Sequence, residues 1–146
     1  MLIEVNRHVD APIGDVFARL IDLPGYSEWL PSESFSRRSE FTSDDPVGVG
    51  TTYIDRTKGG AYLGEITELE ESTRVVFRQR LSKWGMPIEE ALQTNVLEEV
   101  NGETTVHHRW EGRSFGPLRL VYNLSRGSTV KERNLVIDAL KSSFEQ

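Results

Sequence analysis

The last third of the chain, Phe115 to Gln146, decides what the rest can become, because no other stretch has the length and helical patterning to cover a whole sheet. With about 100° per residue, Val130, Ile137, Leu140 and Phe144 fall on one apolar stripe of a long helix. Extending that helix backwards carries the stripe through Arg126 and Tyr122, and Arg119, Arg126 and Arg133 recur every seven residues beside it. A stripe mixing aliphatic, aromatic and guanidinium groups does not describe a fully dry core.

What precedes Phe115 needs such a cover. Leu2 to Val9 alternates apolar and polar residues, the period of a strand. Asp10-Ala11-Pro12 changes the period, with Asp10 as the expected N-cap and Pro12 in the first turn of a short helix carrying Val16, Phe17, Leu20 and Ile21. Leu23-Pro24-Gly25 ends it, and a second short helix follows over Tyr26 to Leu30. Strands are then expected over 34–41, 50–57, 61–70, 73–81, 88–100 and 103–113. Asp44-Asp45-Pro46 and Lys58-Gly59-Gly60 supply turns, Trp84-Gly85-Met86-Pro87 a loop, and Asn101-Gly102 a tight hairpin. A meander with one apolar face, followed by one long helix, is an α+β arrangement: a curved antiparallel sheet of about six to seven strands wrapped around its terminal helix. A hollow between sheet and helix is the expected consequence.

Composition narrows the function. At 146 residues the chain reads as one domain, 1–146. It has no cysteine, so disulfides, thiol catalysis and thiolate metal sites drop out. No apolar run reaches the length of a membrane span, and no signal peptide is visible, so a cytoplasmic location is expected. A net charge of −6 argues against nucleic acid as a partner. Residues 109–146 nevertheless hold seven Lys/Arg against four Asp/Glu, a basic cover over an acidic body that leaves weak contact with a membrane surface open.

Three passages carry a family resemblance: Val9-Asp10-Ala11-Pro12-Ile13 with Val16-Phe17, Asp22, Tyr26, Trp29 and Pro31; Gly64 to Glu70 with Arg74 to Phe77; and Leu140 to Glu145. They resemble the START/SRPBCC superfamily, in its polyketide cyclase/dehydrase and lipid-transport-like branch. The resemblance implies a helix-grip fold with a deep ligand cavity. Some members of that superfamily are cyclases or hydrolases, and many only bind lipids, quinones, hormones or polyketides. The matching residues build the scaffold and define no catalytic set.

Individual residues sharpen the picture. Gly112-Arg113-Ser114-Phe115-Gly116 has the spacing of a serine elbow, but no histidine follows Ser114 and the sheet is antiparallel, so its glycines are read as turning strand into helix. His107 and His108 point to opposite faces of a strand and cannot clamp one metal; neither metal nor cofactor is expected. Val106, His108 and Trp110 share the face read as inner, where His108 is either a satisfied core histidine or a cavity group that moves protons. On strand 88–100 the pattern leaves both faces open, and the resemblance around Leu97 favours Gln93, Asn95 and Leu97 pointing inward. Thr129-Val130-Lys131-Glu132 has the form of a capping box, which would break the long helix near Gly127-Ser128.

The expected cavity wall comprises Trp29, Tyr53, Trp84, Gln93 and Asn95 together with His108, Trp110, Tyr122, Arg126 and Arg133. A small hydrophobic or amphipathic molecule, of lipid, polyketide, quinone or aromatic type, is the expected partner. Two alternatives stand beside it. One is a cyclase or dehydratase using His108 as acid/base, with Arg126 or Arg133 stabilising an enolate-like oxygen. The other is a protein-interaction or chaperone-accessory domain with a filled core and an exposed apolar patch.

Overall fold

The computed structural model describes residues 1–44 and 46–145, so Asp45 of the expected turn lies outside the described residues. Strand β1 (Leu2–Val9) leads into helix α1 (Ile13–Ile21), a single 3₁₀ turn, and helix α2 (Tyr26–Trp29). Six strands follow: β2 (Ser36–Phe41), β3 (Thr52–Thr57), β4 (Gly60–Glu70), β5 (Arg74–Lys83), β6 (Met86–Val100) and β7 (Glu103–Ser114). Helix α3 (Arg126–Ser142) closes the chain. All seven strands form one antiparallel sheet in the order β1-β7-β6-β5-β4-β3-β2, curled around α3. The curved sheet and terminal helix expected from the element order, and the helix-grip fold that the resemblance implies, are the arrangement found.

Local chemistry sets the joints. Asn101 and Gly102 turn β6 into β7 with φ of 54° and 83°, the left-handed pair that a two-residue hairpin requires. The expected loop at Trp84 is tighter than its composition implies. Trp84 and Gly85 alone make the turn, at φ 53° and 74°, while Met86 and Pro87 already belong to β6. A register shift between Ile66 and Glu68 supplies an irregularity in β4, where the alternation of apolar residues is imperfect. Two glycines are required by close packing: a Cβ at Gly64 would overlap the Tyr53 ring, and one at Gly112 would overlap Trp110.

Three local expectations are corrected. Asp10 caps nothing: Pro12 occupies the N-cap of α1, and no side chain caps that end. The long helix does not begin near Phe115. Gly116, at φ 68°, turns the chain, and Gly116–Leu120 and Tyr122–Ser125 form two 3₁₀ turns before α3 starts at Arg126. The capping box does not form either. The Thr129 hydroxyl donates to the Ser125 carbonyl (2.9 Å), and the Glu132 carboxylate instead accepts from the Ser34 hydroxyl (2.9 Å) and the Phe35 N–H (3.0 Å). Gly127 and Ser128 lie inside the first turn of α3, which is not broken there.

The core lies where α3, α1 and the sheet meet. Ile137 and Leu140 are buried, Val136 nearly so, while Thr129 to Leu135 on the preceding turns are not. One cluster joins Val136 and Ile137 to Ile3, Val5, Ala91 and Trp110, and another joins Leu140 to Val16, Phe17, Phe77 and Leu97. The C-terminal half of α3 carries the buried residues, and in the N-terminal half Val130 alone packs, partly buried, against the first of these clusters. Leu140→Ala should therefore cost about 2–5 kcal/mol in urea unfolding; a loss under about 1 kcal/mol would mean that α3 is not held by this contact.

Candidate functional site

Register resolves the inner face of the sheet into rows. Moving away from the seated end of α3, Val75, Asn95, His108 and Val5 lie side by side, followed by Ile66, Phe77, Gln93, Trp110 and Ile3. The next row is Tyr53, Gly64, Gln79, Ala91 and Gly112, and the outermost is Asp55, Tyr62, Leu81, Glu89 and Ser114. Polar inward residues are thus concentrated in the outermost row, while the deeper rows are apolar apart from the Asn95–His108 pair, Gln93 and Gln79. Gln93, Asn95 and Leu97 do face inward, with Leu92 and Glu98 on the opposite face.

Between the polar rows and the unseated half of α3 lies a cavity of about 710 Å³. Phe35, Ala91, Trp110 and Leu135 give it apolar walls; Asp55, Gln79, Glu89, Gln93, Glu132 and Arg133 give it polar ones. Its size falls in the range of about 300–1,000 Å³ usual for small-molecule sites.

A directed hydrogen-bond chain crosses the floor. Arg133 Nη1 donates to Gln93 Oε1 (3.3 Å), Gln93 Nε2 to Gln79 Oε1 (2.9 Å), and Gln79 Nε2 to Tyr53 Oη (3.0 Å). Each amide is thereby fixed in one orientation, with its carbonyl turned toward the donor before it. Arg133 is only 12% exposed and its remaining contact is a 3.8 Å approach to Glu132, whose oxygens already serve Ser34 and Phe35. Most of its five N–H donors are unspent. Burial lowers the Arg133 pKa, while the charges of Glu132 and Asp55 oppose that shift. Burial raises the Asp55 carboxyl above its ordinary range, against the pull of hydrogen bonds from Ser36 (2.5 Å) and Ser39 (3.0 Å).

At the outer row, Glu89 joins three elements. Tyr62 on β4 donates to its Oε1, and Tyr122 in the 3₁₀ segment donates to its Oε2 (2.6 Å). Burial and this carboxylate both push the two phenols above the usual tyrosine range.

The expected wall residues divide. Gln93, Trp110 and Arg133 line the cavity, and Tyr122 reaches it through Glu89. Tyr53 lies beneath the floor, packed edge-on against Phe77 at 5.9 Å. Asn95 and His108 sit one row deeper, outside the cavity wall. The Asn95 Oδ1 accepts from His108 Nδ1 (2.8 Å), which leaves His108 Nε2 a buried lone pair with no partner. Trp29 packs at a tilt against Tyr26, ring centroids 4.6 Å apart, and borders a second hollow of about 570 Å³ between α1, α2 and α3. Trp84 stands at the tip of the β5–β6 turn, almost wholly exposed. Arg126 is exposed and donates to the Leu2 carbonyl (3.0 Å), because the 3₁₀ segment resets the helical phase on which its expected place depends.

Gln79, Glu89, Asp55 and Tyr62 also belong to the site; no motif marks them in the sequence, although a period-two signal is present. Gln79 shares its strand face with Phe77 and Leu81, and Glu89 shares one with Ala91 and Gln93. Among the described residues no group of three potential ligand side chains could hold a metal, and no helix is long and apolar enough to cross a membrane.

Fold and cavity together define a helix-grip protein with a chamber between sheet and terminal helix. The chain belongs to the polyketide cyclase/dehydrase and lipid transport family, whose model matches residues 2–145. No curated protein matches it significantly. Among solved structures it is similar to a protein of Helicobacter pylori (14% identity, 99% of this chain and 88% of that one, TM-score 0.80). It is also similar to a protein of Rhizobium leguminosarum (16% identity, 99% and 94%, TM-score 0.74) and to Ara h 8.0201 (15% identity, 99% and 97%, TM-score 0.71). At these identities the likeness is one of fold.

His108 gives a test of this inner arrangement. Burial chiefly, and the Arg133 charge secondarily, push its pKa down to about 3. The unfolded chain takes up that proton near pH 6.5, so between pH 6.5 and 3 it binds more protons than the native state, and stability falls as pH falls. Urea unfolding across that window should show the native protein losing up to about 1.4 kcal/mol per pH unit relative to His108→Gln. Parallel curves for the two proteins would mean that His108 is not buried neutral.

Proposed function

We propose that this protein binds a small amphipathic molecule, of lipid, polyketide, quinone or aromatic type, in the chamber between sheet and α3. The body of the molecule lies against Trp110, Ala91 and Leu135, and a carbonyl or similar acceptor takes the unspent donors of Arg133. The observation that carries this reading is a nearly buried guanidinium with one weak hydrogen bond, facing a hollow of mixed apolar and polar wall. Such a group costs free energy unless something meets its N–H bonds. A dissolved anion is a poorer match, since Asp55, Glu89 and Glu132 share the wall.

The enzymatic alternative gains less support. His108 stands behind the wall, its Nδ1 committed to Asn95, and a pKa near 3 makes it a weak base at neutral pH. The family description supports both chemistry and transport, and leaves the choice to the site.

Acetylnaphthalene serves as a probe, with naphthalene as its carbonyl-free control, read by quenching of tryptophan fluorescence. One molecule should bind per chain, more tightly than naphthalene. Arg133→Met should weaken the ketone about tenfold or more while leaving naphthalene nearly unchanged, the loss of a charge-assisted hydrogen bond. Ala91→Phe should abolish both by filling the chamber. Wild-type affinity in both variants, with melting temperatures preserved, would end the proposal.

A further inference from the structure

We propose that the 3₁₀ segment Gly116–Ser125 and the adjoining β5–β6 turn dock the protein on an anionic lipid surface, with the mouth of the chamber facing that surface. The inference does not depend on which molecule the chamber holds.

Its first support is an apolar patch that the fold leaves uncovered. Leu120 and Leu124 are 83% and 84% exposed, Leu118 and Val121 about half so, and Trp84 at the neighbouring turn is 96% exposed with Met86 beside it. Singly exposed leucines are ordinary, whereas a run of them within seven residues is not. The two pieces lie at one end of the sheet. The Phe115 N–H donates to the Ile88 carbonyl (2.9 Å) where the chain leaves β7, and Tyr122 is tied to Glu89. Glu89, Tyr62 and Ser125 also line the chamber, so the segment that carries the leucines borders it at this end of the sheet.

The second support is charge. From Gly112 to Lys131 the chain carries no Asp or Glu, in a protein whose net charge is −6; Arg113 is paired with Glu90 (3.2 Å), which leaves Arg119, Arg126 and Lys131 for a surface. Screening over about 10 Å makes this local sign, rather than the total, the one a surface meets. Leucines interleaved with arginines, and a tryptophan at the edge, are the chemistry of a segment that lies in the headgroup region. A second copy of the chain suits the patch less well, because a two-fold interface would set the same basic run against itself.

The test is flotation of the purified protein with vesicles of phosphatidylcholine alone and of equal parts phosphatidylcholine and phosphatidylglycerol. Wild type should float with the anionic vesicles, weakly or not at all with the neutral ones, and less as salt is raised. Leu120→Ser/Leu124→Ser should bind about tenfold or more weakly at an unchanged melting temperature, since both side chains are exposed. Arg119→Glu should weaken binding to the anionic vesicles as well. The proposal fails if wild type does not float with anionic vesicles, or if the double variant binds as wild type does. It also fails if sedimentation finds a stable wild-type dimer that the double variant dissolves, which would assign the patch to a second copy.

Discussion

The structure depends on a helix that fits its sheet at one end only. Val136, Ile137 and Leu140 press the C-terminal half of α3 onto β1, β7 and α1. On the preceding turns Val130 still touches the cluster of Ile3, Val5 and Trp110, while Thr129, Glu132 and Arg133 line the chamber. Dehydrating a guanidinium and a carboxylate against a sheet costs several kcal/mol unless every donor and acceptor is met. Both groups are nearly buried and meet that cost only in part, Glu132 through Ser34 and Phe35 and Arg133 through Gln93, and the chamber lies on their side of α3.

The sheet answers that gap in kind. Polar side chains run along its inner face from Gln93 and Gln79 to Asp55 and Glu89 in the outermost row, beside the unseated part of the helix. The polar groups satisfy one another through shared bonds: Arg133 through Gln93 and Gln79 to Tyr53, Asp55 through Ser36 and Ser39, Glu89 through Tyr62 and Tyr122. What is left over is directional: unspent N–H bonds on Arg133, in a chamber that the Trp110 indole also lines. The rim continues the contrast, since the 3₁₀ segment that Tyr122 fastens to Glu89 turns its leucines outward.

Much of the fold is legible in the amino-acid order alone. Period-two alternation, the Asn101-Gly102 turn and the apolar stripe at Ile137, Leu140 and Phe144 are local signals, and they set element order and the pairing of consecutive strands. The site is only half legible, for two physical reasons. A helical phase propagates only through an unbroken helix, and Gly116-Pro117 with the two 3₁₀ turns interrupts it. Arg133, inside α3, lies in the wall as the phase predicts, while Arg126, at its start, does not. Burial depth is a property of rows across a sheet, which one strand cannot display. Asn95 and His108 therefore look equivalent to Gln93 and Trp110 in sequence, yet lie one row deeper. Gln79 and Glu89 escape notice because polar residues on an inward face resemble noise until their partners on neighbouring strands are known. Trp84 shows the limit of composition: a large apolar residue in a turn is no guide to which side of the protein it faces.

The central claim is that the hollow beside Trp110 receives a ligand, and the three tryptophans report on it separately. Trp110 lines the chamber, Trp29 borders the other side of α3, and Trp84 stands in solvent. The direct measurement is a heteronuclear NMR titration of the three indole N–H signals with acetylnaphthalene. The account predicts that the Trp110 signal moves first and saturates at one equivalent, while the Trp84 signal stays in place. Movement of Trp84 with an unmoved Trp110 would contradict it.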